Sequence, residues 1–179
     1  SASASHVMGG EITWQCIKSG SDAGKYIFQM KIYRDCYGVA ITPIAQTIDH
    51  HNYPALGNTT PILMNFISVN DISTTGTTAS GNACFTCANG DMGAIEEYIF
   101  ESAPLVLAGS PPTEGWHFTW DECCRSGANN LGLTINNAII LRAVMYPYTD
   151  GISGVIFPTD SCYDNSPEFM ESAKRMICT

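Results

Sequence analysis

The sequence predicts an all-β domain, an antiparallel two-sheet sandwich with long disulfide-pinned loops, and three observations carry that expectation. Hydrophobic residues recur with period two in short runs, turn-forming residues interrupt those runs, and no segment sustains a 3.6-residue apolar period over three turns. Apolar residues make up 45% of the 179 positions and charged residues only 14%, below the quarter or so usual in soluble domains. A chain of this length buries roughly 70% of the surface its unfolded form exposes, enough for a full hydrophobic core.

The first strand is expected at Glu11 to Ile17, where Ile12, Trp14 and Cys16 share one face and Glu11, Thr13 and Gln15 the other. After a Gly- and Ser-rich break at Ser19 to Gly24, Tyr26 to Tyr33 repeats the pattern with Tyr26, Phe28, Met30 and Ile32 on one side, which predicts a hairpin with a long turn. Further strands are expected at Ile41 to Ile48, Pro61 to Val69, Ala94 to Phe100, Leu105 to Leu107, Trp116 to Trp120, Leu131 to Ile135, Ile139 to Tyr146 and Val155 to Phe157. So many short strands between turns suit an immunoglobulin-like or jelly-roll-like sandwich. The Thr-, Ser- and Gly-rich stretch Asp71 to Gly93 reads as a long irregular excursion, and the short, mixed segment Glu168 to Ile177 is the nearest approach to a helix. Residues 1–165 are expected to form one domain, with 166–179 as a linker or the first strand of a following domain or subunit contact.

Eight cysteines, Cys16, Cys36, Cys84, Cys87, Cys123, Cys124, Cys162 and Cys178, exceed what a chain in a reducing compartment normally carries. Disulfides and an extracellular, cell-surface location are expected, and the small polar residues Ser1 to Ser5 suit a mature N-terminus. No stretch is apolar enough for a membrane span. The net charge of −9 and the scattering of the eight Lys and Arg argue against nucleic acid and anionic membrane as partners, and with no apolar span no membrane insertion is expected.

Cys84-Phe85-Thr86-Cys87 has the CxxC spacing of zinc and redox sites, with Cys123-Cys124 as a conceivable second half. Adjacent cysteines point to opposite faces of an extended chain, and a βαβ context is lacking, so a structural disulfide is favoured, with Cys84 to Cys87 as the preferred pair. The neighbouring Glu96 and Glu97 also face opposite sides of a strand and cannot flank one glycosidic bond. One is expected solvated and the other hydrogen-bonded at a sheet edge. His6, His50, His51 and His117 lack HExxH spacing, and Gly151-Ile152-Ser153-Gly154 falls short of a nucleophile elbow, so His117 is expected to be a satisfied sheet residue. Trp14, Trp116 and Trp120 with Tyr26, Tyr33, Tyr98, Tyr146 and Tyr148 suit either a sugar-stacking platform or a core; Trp116 and Trp120, four apart, share one strand face and favour the core. Asn58-Thr59-Thr60 matches a glycosylation sequon that chance readily supplies. Arg125 and Arg34-Asp35 sit in apolar surroundings, where half-buried salt bridges are their expected use.

Several stretches together resemble a known family. They are Ser5-His6-Val7-Met8-Gly9-Gly10-Glu11-Ile12-Thr13-Trp14-Gln15-Cys16, Ile32-Tyr33-Arg34-Asp35-Cys36, Glu97-Tyr98-Ile99-Phe100-Glu101, Gly115-Trp116-His117-Phe118-Thr119-Trp120, Cys123-Cys124-Arg125, Leu141-Arg142-Ala143 and Asn165-Ser166-Pro167. Their arrangement resembles the N-terminal module of very large, gliding-motility-associated secreted proteins that carry type IX secretion sorting domains and immunoglobulin-like repeats. The resemblance implies surface display and adhesion without a catalytic motif, with neighbouring domains or subunits of the same assembly as partners. A sorting domain is not part of the sequence, so it also implies a longer chain or another export route. The alternative is a carbohydrate-binding module or glycan-active domain that contacts surface glycans.

The tail Glu171 to Thr179, with Cys178 in it, has the look of an incomplete strand that could pair with a neighbour by strand addition. Asp164-Asn165-Ser166-Pro167-Glu168-Phe169 is similar to the stretch that closes cadherin repeats. That likeness makes Asp160, Asp164 and Asn165 candidate calcium ligands, although Ser161 and Tyr163 depart from the cadherin pattern and Cys162 suggests a disulfide there instead. The default is a Pro-containing turn with no cofactor.

Overall fold

The computed structural model describes residues 7–53, 60–73, 86–91, 93–122, 138–148, 162 and 165–167. These form seven strands: β1 (Val7–Cys16), β2 (Tyr26–Asp35), β3 (Gln46–His51), β4 (Ile62–Asp71), β5 (Ile95–Ser102), β6 (Trp116–Glu122) and β7 (Ile139–Met145). A single 3-10 turn, Cys87–Asn89, is the only helical element among the described residues. Every pairing is antiparallel, and the strands lie in the order β1-β2-β5-β4-β3-β6-β7.

The described strands hydrogen-bond in one continuous order of seven, in which β3 changes partner halfway. Gln46 to Ile48 pair with Met64 to Ile62 on β4, whereas Asp49 to His51 pair with Thr119 to His117 on β6. The sheet thereby turns a corner and curls, bringing its end strands β1 and β7 against each other. The curl encloses the core, so that Phe28 on β2 meets Phe118 on β6 with ring centroids 4.5 Å apart.

Alternation fixes which residues enter that core. On β2, Tyr26, Phe28, Met30 and Ile32 are buried, as the period-two reading requires, and Ile12, Trp14 and Cys16 on β1 face them across the ladder. Trp116, Phe118 and Trp120 form the matching inward row on β6. Tyr53 packs edge-on against Trp116 at 4.7 Å, and its hydroxyl accepts the Ala108 N–H at 2.8 Å. β1 begins at Val7, four residues before the expected start, because two glycines mask the alternation there. β3 begins at Gln46 instead of Ile41: Pro43 has no N–H to give a ladder. Leu105 contributes only an isolated bridge to Tyr26. The strands expected at 131–135 and 155–157 lie outside the described residues.

Gly10 lies where β1 meets β2 on one side and a side chain of β7 on the other. It takes the inward position of β1 opposite Ile32, and a Cβ placed there would run into the Lys31 carbonyl and come within 2.6 Å of Leu141 Cδ1 on β7. The backbone obstacle cannot move aside, so Gly10→Ala is expected to destabilise the fold by about 1–3 kcal/mol through forced separation of strands. Urea unfolding checks this; a variant as stable as the parent would show that the β1 and β2 backbones leave room for a Cβ at position 10.

Candidate functional site

The inward rows of the strands run out into polar residues at one end of the curled sheet. On β2 the row that begins at Tyr26 ends in Arg34, on β5 the row of Ser102, Phe100 and Tyr98 ends in Glu96, and on β6 Trp120 is followed by Glu122. On β3 the same end carries Gln46. Arg34 and Glu96 are direct ladder partners. The buried Arg34 donates to Glu96 Oε2 from Nε at 3.1 Å and Nη2 at 2.6 Å, and from Nη1 to the Gly38 carbonyl at 2.6 Å. The Tyr98 hydroxyl donates to the same Glu96 oxygen at 3.0 Å. Burial first, and then this carboxylate, push the Tyr98 phenol above its ordinary value, while the guanidinium acts in the opposite sense.

Beside this cluster, Val7, Ala40, Ile41, Thr42, Ile44, Gln46, Trp120 and Glu122 line a pocket of about 200 Å³. Trp120 Nε1 donates to Gln46 Oε1 at 3.4 Å, which ties the tryptophan to the start of β3. Val7 and Trp120 are buried at its base, whereas Ile44 at its rim is 60% exposed. A second, more polar pocket of about 180 Å³, towards the opposite end of β3, is lined by Asp49, His50, His51, Thr60 and Pro61.

Disulfides fix both ends of the molecule. Cys36, just past β2, bonds Cys87 across 51 residues, with Cα atoms 5.1 Å apart. Cys16, at the end of β1, bonds Cys162 across 146 residues, with Cα atoms 5.4 Å apart. The expected Cys84–Cys87 pair is therefore corrected: Cys87 pairs with Cys36. Its position explains why. Asp71, the last residue of β4, accepts the Cys87 N–H at 2.9 Å and the Ser73 N–H at 2.9 Å, and the Cys36 N–H donates to Ala94 at 2.9 Å, so both cysteines are delivered to the same end of the sheet. Partial burial pushes the Asp71 carboxyl up, but hydrogen bonds from Ser73, Cys87 and Thr86 together outweigh it and hold the group below its ordinary value. Cys84, Cys123, Cys124 and Cys178 lie outside the described residues.

The remaining expected sites sort as follows. Cys36, Cys87 and Glu96 bring metal-ligating atoms within 4.8 Å of one another, but the sulfurs are bonded to each other and Glu96 serves Arg34, so the grouping acts as a staple. Of the candidate calcium ligands, Asp160 and Asp164 lie outside the described residues; Asn165 uses its side-chain oxygen to accept the Cys16 N–H at 2.7 Å. Ser166 continues this contact, its N–H donating to the Trp14 carbonyl at 2.9 Å and its Oγ accepting the Trp14 N–H at 3.1 Å. Residues on both sides of the expected boundary at 165 thus cover the edge of β1; the tail expected to add a strand lies outside the described residues.

Glu96 and Glu97 do face opposite ways, but neither sits at a sheet edge, because β5 lies between β2 and β4. Glu97 points outward, where Lys31 lies 3.8 Å from it and 3.5 Å from Glu11. His117 Nε2 lies 2.8 Å from the Glu114 carbonyl. Trp14, Trp116, Trp120, Tyr26 and Tyr98 are core residues; Tyr146 and Tyr148 are exposed. His6, Asn58, Thr59 and Arg125 lie outside the described residues. Sequence reasoning anticipated a salt bridge at Arg34 but not its partner, 62 residues away; the one available signal was that Arg34 and Glu96 keep the parity of the apolar rows they end.

Tyr33 lies on the outer face and donates to Glu11 Oε1 at 3.3 Å. Burial, followed by the charges of Glu11 and Glu97, raises its pKa from 10.0 to about 12. The folded state thus holds the phenol neutral more strongly than the unfolded chain does. This contribution to stability is complete below the unfolded value of 10.0 and is lost as pH rises towards about 12. Ultraviolet titration is expected to find Tyr33 ionising above the unfolded value of 10.0, towards about 12, and Glu11→Gln is expected to move it downward. An unmoved titration would remove the carboxylate as a cause.

Comparison of the chain with protein-family models, with curated proteins and with solved structures finds no match. The site geometry thus stands alone in defining a class: an all-β, antiparallel domain with disulfides suited to an oxidising environment. No helix among the described residues is long and apolar enough to cross a membrane.

Proposed function

We propose that this chain is a non-enzymatic extracellular module that supports structure and adhesion on a bacterial cell surface, within a secreted multidomain stalk or fibre of the gliding-motility-associated type. The observation that carries this reading is the pair of long-range disulfides fastening opposite ends of a sheet whose described interior is filled by packed side chains. An extracellular module must hold its shape without cellular repair, and cross-links between distant segments serve that need. We read the curl, in which β6 faces β2, as the two layers of an immunoglobulin-like or jelly-roll-like sandwich. The carbohydrate-binding alternative would need exposed aromatic faces; all three tryptophans are buried in the core, which leaves it the exposed Tyr37, Tyr146 and Tyr148 among the described residues.

Thiol titration of the denatured, unreduced protein is expected to find almost none of the eight cysteines free; four or more free thiols would remove the extracellular assignment. For adhesion itself, beads coated with the folded domain should resist detachment under flow from cells or solid surfaces better than beads coated with the reduced, unfolded chain. Equal detachment would leave a passive scaffold, and a glycan array with saturable binding would favour the lectin alternative.

A further inference from the structure

We propose that the two described disulfides differ in kind: Cys16–Cys162 is permanent, whereas Cys36–Cys87 is a redox-sensitive latch that a dithiol reductant opens while the domain stays folded. Access separates them. Cys16 and Cys162 are 3% and 4% exposed, and the Cys162 Sγ lies 3.2 Å from the Lys25 carbonyl oxygen and 3.7 Å from that of Ile17. Thiol–disulfide exchange brings in one thiolate and expels another, and at this bridge both charges would sit among carbonyl oxygens, away from water. Cys87 is only half-buried, on a short turn at the margin of the sheet, and the Ser73 hydroxyl lies 3.8 Å from its Sγ, where it can donate to a thiolate.

The exchange balances with one dithiol. A thiolate of the reductant attacks the Cys87 sulfur, and the electron pair of the disulfide bond leaves with Cys36. The second thiolate of the reductant then attacks the reductant sulfur bonded to Cys87, and Cys87 departs as a thiolate beside Ser73. The reductant ends as a cyclic disulfide, and the two protons it gave up end on the two cysteines.

Opening the latch loosens one end of the molecule and spares the rest. Cys36 lies in the turn closed by Gly38 N–H and the Asp35 carbonyl, and both sulfurs lie within 4.8 Å of a Glu96 carboxylate oxygen, so the bridge packs against the Arg34–Glu96 pair. Without the bridge, the Cys87–Asn89 turn keeps the exposed Asp71 carboxylate as its tether, through the Cys87 N–H at 2.9 Å and the Thr86 hydroxyl at 3.4 Å. The loop closed by Cys16–Cys162 still contains every strand from β2 to β7. Oxidising surroundings keep the latch shut, and reducing surroundings open it. This inference goes beyond the adhesive reading and is tested apart from it.

The test treats the full chain with dithiothreitol in the absence of denaturant and traps free thiols with iodoacetamide at timed intervals. Full reduction and labelling with an isotopically heavy form of the reagent follow, so that peptide mass spectrometry reads each cysteine. Cys36 and Cys87 are expected to be trapped together, about tenfold or more faster than Cys16 and Cys162, a difference that access supplies. Amide hydrogen exchange on the selectively reduced chain is expected to speed up about tenfold or more at Cys36 and Cys87 and to stay unchanged along the β1–β2 ladder. Trapping of Cys16 and Cys162 first, of all four together, or of none without denaturant would overturn the proposal, as would unchanged exchange at both Cys36 and Cys87. Should the reduced chain reoxidise too fast for exchange to be read, Cys36→Ser combined with Cys87→Ser supplies the open state.

Discussion

Replacing Cys16 and Cys162 together by alanine is expected to lower the unfolding free energy by about 5 kcal/mol, more than any other change considered among the described residues. Their disulfide spans 146 residues, and the chain entropy that the unfolded state regains when so long a loop is opened sets the scale. The Cys36–Cys87 bridge spans only 51 residues, so its removal is expected to cost about 4 kcal/mol. The ordering is the sharper expectation, since both pairs are removed from the same fold. Urea unfolding of the two double variants measures it, and non-reducing peptide mapping checks that each pair exists. A loss below about 1 kcal/mol for the Cys16 and Cys162 variant would mean that this bridge does not constrain the unfolded chain.

Arg34→Ala should be nearly as damaging, with a loss of about 3 kcal/mol or more, because it strips the guanidinium from a partly buried carboxylate that keeps only the Tyr98 hydroxyl. It also releases the Gly38 carbonyl at the start of the segment leading to β3. Lys31→Ala removes a cation from between two carboxylates as well, but on the half-exposed outer face, where about 1 kcal/mol or less is expected. In a domain of this size each kcal/mol moves the melting temperature by about 2–4 °C, so the two variants should separate clearly in a thermal scan. Equal melting temperatures would show that the Arg34–Glu96 pair is as solvated as its outer-face counterpart.

The contrast between these two ion pairs shows which parts of the molecule were legible in the sequence. Alternation on β2 told which side of the strand faces inward, and continuing its parity by one step puts Arg34 on the buried side. The hairpin of β1 and β2 and the inward Trp116 and Trp120 followed from the same rule. What alternation cannot tell is which strand lies alongside. Glu96 reaches Arg34 only because β5 inserts between β2 and β4, and Cys87 reaches Cys36 only because Asp71 holds the 86–87 segment at the end of β4. Both depend on strand order, a property of the whole sheet.

Local irregularities hid other features. The register shifts between Val7 and Gly9 on β1 and between Phe66 and Ser68 on β4 each insert a residue that no local pattern announces. The first places Val7 instead of Met8 beside Arg34, and so among the walls of the pocket. The pocket itself draws on β1, the segment before β3, β3 and β6, four pieces of chain whose meeting no local signal reveals.

The Cys16–Cys162 bridge also decides how this domain would respond to being pulled. A tensile load applied at the two chain ends enters at the residues before Cys16 and leaves through those after Cys162. It can peel the start of β1 from β2 and break the contacts of Ser166 with Trp14, but on reaching the bridge it passes from sulfur to sulfur. Strands β2 to β7 lie inside the closed loop and, once the load has reached the bridge, carry none of it. Such a link gives up a short, fixed length of slack and then becomes inextensible, and of the walls of the pocket only Val7, which precedes Cys16, leaves with the peeled start of β1.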